Sequence, residues 1–429
     1  MKKVAIHTLG CKVNTYESDM MRKKLSENGY IIVPFDQKAD VYIINTCSVT
    51  NIADRKTRQF LSRAREKNPE ALIVAAGCYV DTRGTEDILG KNADIAVLNK
   101  EKEEIADILN NYFKESSPSC EVKDEAPSHT RRIIKCQDGC NMFCSYCIIP
   151  FARGRIKSRR TADICDEIRS LVSEGYREFV LTGIHVCSYG LDRPDEKEDL
   201  LSLVREVSKT EGVKRIRLGS LEPGIVTPEF VSGLKDIGSL CPHFHLSLQS
   251  GSDSVLRRMN RHYDTKQYMQ GVELLRKAFD KCAVTTDIIT GFPGETEQEF
   301  LETVEFVKKI RFYETHIFKY SRRKGTNADR MEGQLTEKIK AARSAELLEL
   351  NKENKRNFIE SFRDGKRYEL LAEETAGIRG KEYLTGYTRE YIRCAVPAGC
   401  GVKPGDIVTG TIGEELEGET VLMNDVSVV

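Results

Sequence analysis

The sequence predicts an α/β protein with three parts: an N-terminal doubly wound parallel sheet, a central partial (β/α)6 barrel and a small C-terminal antiparallel β-barrel. Two stretches in which short apolar runs alternate with helical segments predict the parallel sheets. A polar stretch at 114–130 separates them and is typical of a linker. From 366 onward, short strands separated by Gly and Pro predict the final barrel. We therefore place the domains at 1–115, 130–362 and 365–429.

The individual elements follow from the apolar pattern. In the first domain it predicts strands at 3–8, 41–45, 72–76 and 95–98 and helices at 16–27 and 53–67. In the second domain it predicts strands at 132–137, 178–181, 215–218, 244–248, 284–289 and 315–320. Six β/α units are too few for a closed eight-stranded barrel. A long charged helix starts near Leu335, and the last domain follows with strands at 368–372, 383–396, 407–412 and 420–423.

Composition narrows the class of protein. The 429 residues carry no net charge, and no apolar run approaches the ~20 residues of a membrane helix. The N-terminus shows no signal peptide, so we expect a cytoplasmic protein without membrane contact. In a reducing compartment, the 14 cysteines are expected to be buried thiols, metal ligands or catalytic thiols rather than disulfides.

The strongest motif is a cysteine triplet directly after the first strand of the second domain. Cys140, Cys144 and Cys147 lie within eight residues, and Gly139 turns the chain before them. A zinc site would usually need a fourth ligand. Three thiolates on a four-iron cluster instead leave one iron open to a ligand. The alternative is that three thiols fall together by chance.

A second triplet lies in the first domain, far apart in sequence. Cys11, Cys47 and Cys78 each follow a strand of the same predicted parallel sheet. The carboxyl ends of such strands meet along one edge, so the three thiols are expected to converge and to hold a second cluster. Spacing alone leaves open that they are passive thiols packed at strand ends.

The CxxxCxxC motif, with Tyr146 before its last cysteine, resembles the signature of radical S-adenosylmethionine (SAM) enzymes. The resemblance implies that Cys140, Cys144 and Cys147 hold a 4Fe-4S cluster whose open iron binds SAM, and that SAM is cleaved to a 5′-deoxyadenosyl radical. Further segments at strand ends fit the same family, although each alone is compatible with an ordinary turn. The residues that the resemblance assigns to SAM binding are Tyr146, Thr182, Gly183, Glu222, Gln249, Ser250, Ile289 and Gly291.

Across nearly the whole chain, the motifs TLGCKVN, NTCSVT, GCY, LQSGS and GFPGET resemble the methylthiotransferase family. The resemblance implies an auxiliary 4Fe-4S cluster on Cys11, Cys47 and Cys78, two SAM molecules, and a C-terminal TRAM-like RNA-binding domain. It also implies that one SAM methylates a sulfur at the auxiliary cluster, and that the radical from the other removes a hydrogen from a C–H carbon, which receives the methylthio group.

The flank Lys12-Val13-Asn14 resembles the subgroup that acts at C2 of N6-threonylcarbamoyladenosine next to the tRNA anticodon. The alternatives are methylthiotransferases acting on isopentenyladenosine in tRNA or on a ribosomal-protein aspartate. A more distant alternative is a non-catalytic RNA-binding protein with structural iron–sulfur or zinc sites. The expected partners are tRNA and an external electron donor, and the sequence does not specify the sulfur source or the oligomeric state.

A basic segment flanks the radical motif. Residues 131–160 carry eight Lys or Arg against one acid, and the candidate RNA contacts are Arg153, Arg155, Lys157 and Arg159. The alternative is a solvated face. The last domain does not strengthen this charge, since 366–429 contains seven basic and eleven acidic residues. We expect His185, His243 and His245 to be core or supporting residues rather than iron ligands.

Overall fold

The structure is a computed structural model that describes residues 1–90, 93–113 and 130–429. Apart from Thr130, the linker expected at 114–130 lies outside these residues. The chain folds into two compact units. The first unit comprises Met1–Ala126, Asp138–Lys157 and Ser321–Arg330, and the second comprises Pro127–Gln137, Ser158–Tyr320 and Met331–Val429.

A five-stranded parallel sheet organises the first unit. Its strands are β1 (Lys3–Thr8), β2 (Ile31–Val33), β3 (Val41–Thr46), β4 (Leu72–Gly77) and β5 (Ile95–Val97), in the order β2-β1-β3-β4-β5. Its helices are α1 (Lys12–Glu27), α2 (Asn51–Lys67), α3 (Cys78–Arg83), α4 (Ile105–Phe113) and, after the radical motif, α5 (Ile149–Arg153). Alternate strand residues pack on opposite faces: Val4 and Ile6 with Leu25 of α1, and Ala5 with Leu61 of α2. The sheet is therefore doubly wound, as expected.

The second unit contains the parallel barrel. Its strands are β6 (Arg131–Asp138), β7 (Lys157–Ser158), β8 (Glu178–Gly183), β9 (Arg215–Leu218), β10 (His243–His245), β11 (Ala283–Thr290) and β12 (Glu314–Lys319). The pairs β6–β8, β8–β9, β10–β11 and β11–β12 are parallel, and the parallel bridge Leu221–Leu246 joins the two sheets. The six strands from β6 to β12, without the two-residue β7, form the expected partial barrel. Strand β10 is shorter than expected, and the chain soon turns at Gln249, whose φ is +71°.

Helices cover this barrel. They are α6 (Thr161–Ser173), α7 (Leu200–Ser208), α8 (Pro228–Lys235), α9 (Asp253–Arg258), α10 (Thr265–Ala278), α11 (Glu297–Ile310) and α12 (Glu337–Glu360). Capping boxes start α7, α10 and α11 at Asp199, Asp264 and Thr296. Within the described residues, none of the helices combines the length and the apolar character needed to cross a membrane.

The C-terminal strands close into a small barrel in the order β13-β14-β15-β17-β16, with β16 pairing back to β13. They are β13 (Arg367–Ile378), β14 (Lys381–Thr388), β15 (Arg393–Pro397), β16 (Ile407–Glu417) and β17 (Thr420–Val428). The single strand expected at 383–396 is wrong, because the chain makes a hairpin there. Its turn contains no Gly or Pro and uses Tyr391 at a φ of +74°, so the sequence carried no turn signal. The barrel is antiparallel except for the pair β15–β17.

Candidate functional site

The first cysteine triplet lies at one edge of the first unit's sheet. Cys11 caps the N-terminus of α1 after β1, Cys47 follows β3, and Cys78 begins α3 after β4. These three strands are neighbours, so their carboxyl ends bring the thiols together. Gly10 has a φ of +102°, and a Cβ on it would lie 2.8 Å from the Cys47 Cβ. The loop carrying Cys11 thus lies directly against Cys47.

The electrostatics of this triplet suit a bound metal centre. Burial, above all, raises the pKa of the Cys47 thiol to about 11, and the neighbouring Cys78 and Cys11 add to the rise. A protonated thiol is a poor metal ligand. In this site the thiols are therefore expected to lose their protons only when a positively charged metal centre binds in their place. Three thiols with no fourth cysteine in the motif fit a four-iron cluster with one open iron.

Side-chain hydrogen bonds connect the loops that carry these cysteines. The Asn14 amide nitrogen donates to the Leu9 carbonyl at 2.6 Å and to the Thr46 carbonyl at 2.9 Å. The Thr46 hydroxyl donates to the Ala76 carbonyl at 2.7 Å and accepts from the Tyr79 amide at 3.1 Å. Residues beside Cys11, Cys47 and Cys78 are therefore bonded across the strand ends, which holds the three loops in register.

The second triplet occupies a compact loop between β6 and α5. Gly139 begins the loop at a φ of +67°, and any Cβ there would lie 1.9 Å from the Arg155 carbonyl oxygen. The Cys147 amide donates to the Cys144 carbonyl at 3.0 Å, which tightens the end of the loop. The thiols of Cys140, Cys144 and Cys147 are partly exposed. The donor set again fits a cluster with one iron left open to a ligand.

Both triplets belong to the first unit, and partly buried polar contacts link the helix after the second triplet to the loops of the first. The Asn99 amide nitrogen lies 3.5 Å from the Cys78 sulfur and donates to the Ala152 carbonyl of α5 at 3.2 Å. Arg153, also in α5, is 1% exposed and pairs with Glu17 of α1 at 2.8 Å. Its second terminal nitrogen donates to Asn14 at 2.6 Å. The helix after the radical motif is thereby packed onto the loops of the other triplet.

The burial of Arg153 therefore corrects the sequence-based expectation that this residue contacts RNA. Burial opposes its charge, but the neighbouring Cys78, Glu17 and Asp138 together raise the pKa of Arg153 well above its usual value. A guanidinium that is 1% exposed and paired with these partners is not presented to a nucleic acid.

A third segment of the first unit, Ser321–Arg330, was not singled out from the sequence. Arg323 is 7% exposed and pairs with the buried carboxylate of Asp54 at 3.1 Å. It also donates to the Ser48 hydroxyl, next to Cys47, at 2.6 Å. Farther along, the Ala328 amide donates to the Ser145 carbonyl inside the radical motif at 2.7 Å. This segment thus contacts the loops of both triplets, and only its run of Arg and Lys could have drawn attention to it.

The residues that the resemblance assigns to SAM lie at the carboxyl ends of neighbouring barrel strands in the second unit. Thr182 and Gly183 end β8, and Ile289 lies near the end of β11. The Gln249 amide donates to the Asp287 carbonyl at 2.8 Å, which ties the loop after β10 to β11. The remaining members are Glu222, Ser250 and Gly291, which follow β9, β10 and β11. Tyr146 lies in the radical motif of the first unit.

Glu222 contacts two basic side chains, His185 and Arg261. One carboxylate oxygen lies 3.3 Å from the His185 Nε2 and the other 3.1 Å from Arg261. Burial pushes the pKa of Glu222 upward, but the neighbouring His185 and Arg261 outweigh it and leave the pKa below its usual value. Glu222 is thus an ionised acceptor at the barrel mouth. Arg261 was missed from the sequence, while His185 has the supporting role expected for it.

The other candidate RNA contacts differ in exposure. Arg155 is exposed and lies 4.5 Å from the ring centre of Phe143 in the radical motif. Lys157 is exposed. Arg159, in the second unit, pairs with Glu167 at 2.7 Å and is half-buried. Arg155 and Lys157 therefore remain the better candidates for contact with a phosphate backbone.

Two family models match the chain. The model of the radical SAM superfamily matches residues 134–307, and that of an uncharacterised protein family, UPF0004, matches residues 3–99. The first match contains the CxxxCxxC motif and the strands β8 to β11, and the second contains Cys11, Cys47 and Cys78.

Curated relatives resemble the chain over most of its length. The threonylcarbamoyladenosine tRNA methylthiotransferase MtaB of Bacillus subtilis is 39% identical over 92% of this chain and 90% of its own length. The protein of the same name from Aquifex aeolicus is 36% identical over 87% and 93%. A tRNA-2-methylthio-N(6)-dimethylallyladenosine synthase of Clostridium botulinum is 35% identical over 90% and 88%.

Among solved structures, the radical SAM methyltransferase TsrM of Kitasatospora setae, with cobalamin and a 4Fe-4S cluster bound, superimposes with a TM-score of 0.55. It covers 76% of this chain and 77% of its own, at 16% identity. This likeness concerns the fold alone.

Proposed function

Because this chain belongs to the family of radical SAM tRNA methylthiotransferases, we propose that it attaches a methylthio group to C2 of N6-threonylcarbamoyladenosine beside the tRNA anticodon. The observation that carries the proposal is the presence of two cysteine triplets within one compact unit, joined through Asn99 and Arg153. The flank Lys12-Val13-Asn14 supports this substrate, and so do the names of the MtaB relatives.

In this proposal the chain's own residues have distinct tasks. Cys140, Cys144 and Cys147 hold one 4Fe-4S cluster, and Cys11, Cys47 and Cys78 hold the other. With SAM, such clusters supply the electron for radical formation and carry the sulfur that is transferred. Thr182, Gly183 and the ionised Glu222 orient SAM at the barrel mouth, with Gln249, Ser250, Ile289 and Gly291 beside them, and Tyr146 belongs to the same set.

The division of labour between the triplets can be tested by substitution. Replacing Cys140, Cys144 and Cys147 by Ala should remove about half of the iron and abolish 5′-deoxyadenosine formation. Replacing Cys11, Cys47 and Cys78 should also remove about half of the iron, but should leave 5′-deoxyadenosine formation and abolish methylthiolation. The exposed Cys400, replaced by Ala, is the control and should change neither readout. Loss of all iron from either triple variant would contradict two independent clusters.

Substrate choice calls for a direct competition. The reconstituted enzyme is offered anticodon-stem-loop tRNAs carrying either threonylcarbamoyladenosine or isopentenyladenosine, and the nucleosides are analysed by mass spectrometry. A pocket that pairs with the polar threonylcarbamoyl group should reject the apolar isopentenyl group, because its own polar groups would be left unpaired. Methylthiolation of the isopentenyl form alone, or of a ribosomal protein, would assign the chain to a different subgroup.

The exposed basic side chains should contribute affinity without selectivity. Replacing Arg155 and Lys157 together by Ala should weaken binding of both tRNAs. The number of counterions released on binding, measured from the salt dependence of the affinity, should fall by about two, since each phosphate contact releases roughly one. Replacement of Lys23, an exposed residue of α1, is the matched control. Unchanged affinity and salt dependence in the double variant would exclude Arg155 and Lys157 from the RNA-binding surface.

A further inference from the structure

We propose that His245, Asp287 and His316 form a binding site for one divalent transition-metal ion, separate from the cysteine triplets. The three residues lie on adjacent strands of the second unit's barrel, β10, β11 and β12. One ligand atom from each lies within 4.8 Å of the others. The proposal does not depend on the tRNA substrate, because it rests only on these side chains.

Strand register explains why the three side chains meet. His245 is paired with Thr285, and His316 is paired with Asp287. Thr285 and Asp287 are two residues apart on β11, so they project from the same face of the sheet. Parallel neighbours in register share a face, and the two histidines therefore flank the carboxylate from either side. Sequence spacing alone could not reveal this, since His245 and His316 are 71 positions apart.

The distance between His245 and Asp287 suits a pair of metal ligands. The His245 Nε2 lies 3.3 Å from an Asp287 carboxylate oxygen. Yet this nitrogen is buried and has no hydrogen-bond partner among the described residues. Two ligands bound tetrahedrally at the ~2.0–2.2 Å distances of zinc are about 3.3–3.6 Å apart. An ion placed between the two atoms would satisfy both.

A second interaction fixes the histidine ring. The His245 Nδ1 lies 3.1 Å from the Thr285 hydroxyl, and Thr285 is buried. A partner on the second ring nitrogen, which holds the ring in place and selects its tautomer, is the usual companion of a metal-binding histidine. The His316 ring stacks beside that of His245 with centroids 5.7 Å apart and planes inclined by 19°. Because His316 is exposed, its ring can turn to complete the site.

The donor set indicates the chemistry. Two imidazoles and one carboxylate suit Zn²⁺ and related transition ions, whereas Mg²⁺ and Ca²⁺ prefer oxygen ligands. Three protein ligands leave at least one coordination position for water or for an oxygen of a bound ligand. Asp287 lies two residues before Ile289 on the same strand, so the proposed site shares a strand face with a residue assigned to SAM binding.

The test uses Zn²⁺ as the probe on holoenzyme whose clusters have been reconstituted, so that both cysteine triplets are occupied. Equilibrium dialysis followed by elemental analysis should give one zinc per chain. His316→Ala and His245→Gln should lose this zinc, while His262→Ala, at an exposed histidine outside the site, should retain it. The conservative Thr285→Val should weaken zinc binding by about 10–100-fold, as removal of a partner of a metal-binding histidine does.

X-ray absorption at the zinc edge distinguishes this site from stray cysteine binding. Nitrogen and oxygen neighbours at about 2.0–2.2 Å are expected, whereas binding at a vacated thiolate would show sulfur at about 2.3 Å. Circular dichroism and iron content of each variant must match those of the wild type, and the exposed position of His316 makes His316→Ala the safest comparison. The absence of bound zinc in the reconstituted holoenzyme, sulfur ligation of the zinc, or equal zinc in wild type and His316→Ala would each overturn the proposal.

Discussion

Replacing Glu17 by Gln tests how strongly the buried charges hold the first unit together. Glu17 is 2% exposed, and its carboxylate binds Lys102 at 2.5 Å and Arg153 at 2.8 Å, each of them 1% exposed. The substitution preserves shape but leaves two buried cations with one anion fewer. Burial already lowers the pKa of Lys102 and Glu17 acts against this effect, so loss of the carboxylate should lower that pKa further.

The expected cost follows from the geometry. Breaking a buried ion pair by removing one partner costs about 3–5 kcal/mol. Arg153 retains Asp138 at 3.1 Å and Asn14, so the lower end of that range applies. A tenfold change in an equilibrium constant corresponds to about 1.4 kcal/mol. A loss of about 3 kcal/mol therefore makes the equilibrium constant for local opening of the first unit roughly a hundredfold larger.

Native-state hydrogen exchange measures that equilibrium locally. Peptides from α1 and α5 should exchange about a hundredfold faster in Glu17→Gln holoenzyme than in the wild type. Glu27→Gln, at an exposed carboxylate of the same helix, is the matched control and should have no effect. A double replacement of Glu17 and Lys102 by Met should recover the part of the loss that comes from Lys102, because that cation is removed with its partner, while Arg153 still lacks Glu17. Acceleration of less than about threefold in Glu17→Gln would refute the reasoning.

Two further predictions concern the first unit. His7 stacks on Phe60 with centroids 3.6 Å apart, and burial, aided by nearby arginines, lowers the pKa of His7 to about 4. Because the unfolded chain binds the proton more readily, the stabilising effect of neutral His7 is complete above about pH 6.5 and is lost as the pH falls towards about 4. His7→Leu should therefore show a smaller fall in Tm between pH 7 and pH 5, and an unchanged fall would contradict this assignment. Gly10→Ala should force the loop away from Cys47 and lose about half of the iron while 5′-deoxyadenosine is still formed. Gly84→Ala has a similarly positive φ but open space around it, so equal iron loss in both variants would point to backbone strain rather than the contact with Cys47.

The sequence by itself determined the chemistry of the candidate site. Cys140, Cys144 and Cys147 lie within eight residues of one another, directly after the turn at Gly139. Because this motif is local in sequence, it can be recognised without knowledge of the tertiary structure. The strand-end positions of Cys11, Cys47 and Cys78 were also readable, because parallel strands place their carboxyl ends at one edge. The apolar pattern likewise identified the doubly wound sheet and the partial barrel.

Tertiary structure alone decided which charges are buried and which face solvent. Arg153 and Arg155 lie two residues apart in one basic segment, yet the first is buried against Glu17 and the second is exposed. Local sequence cannot separate them, because the partners of Arg153 come from an element 136 positions away. Local sequence also cannot predict that Arg323 pairs with Asp54. Nor can it predict that His245, Asp287 and His316 lie together, because strand register alone makes them neighbours. Residues far apart along the chain become neighbours through packing, and packing depends on the whole fold rather than on any one segment.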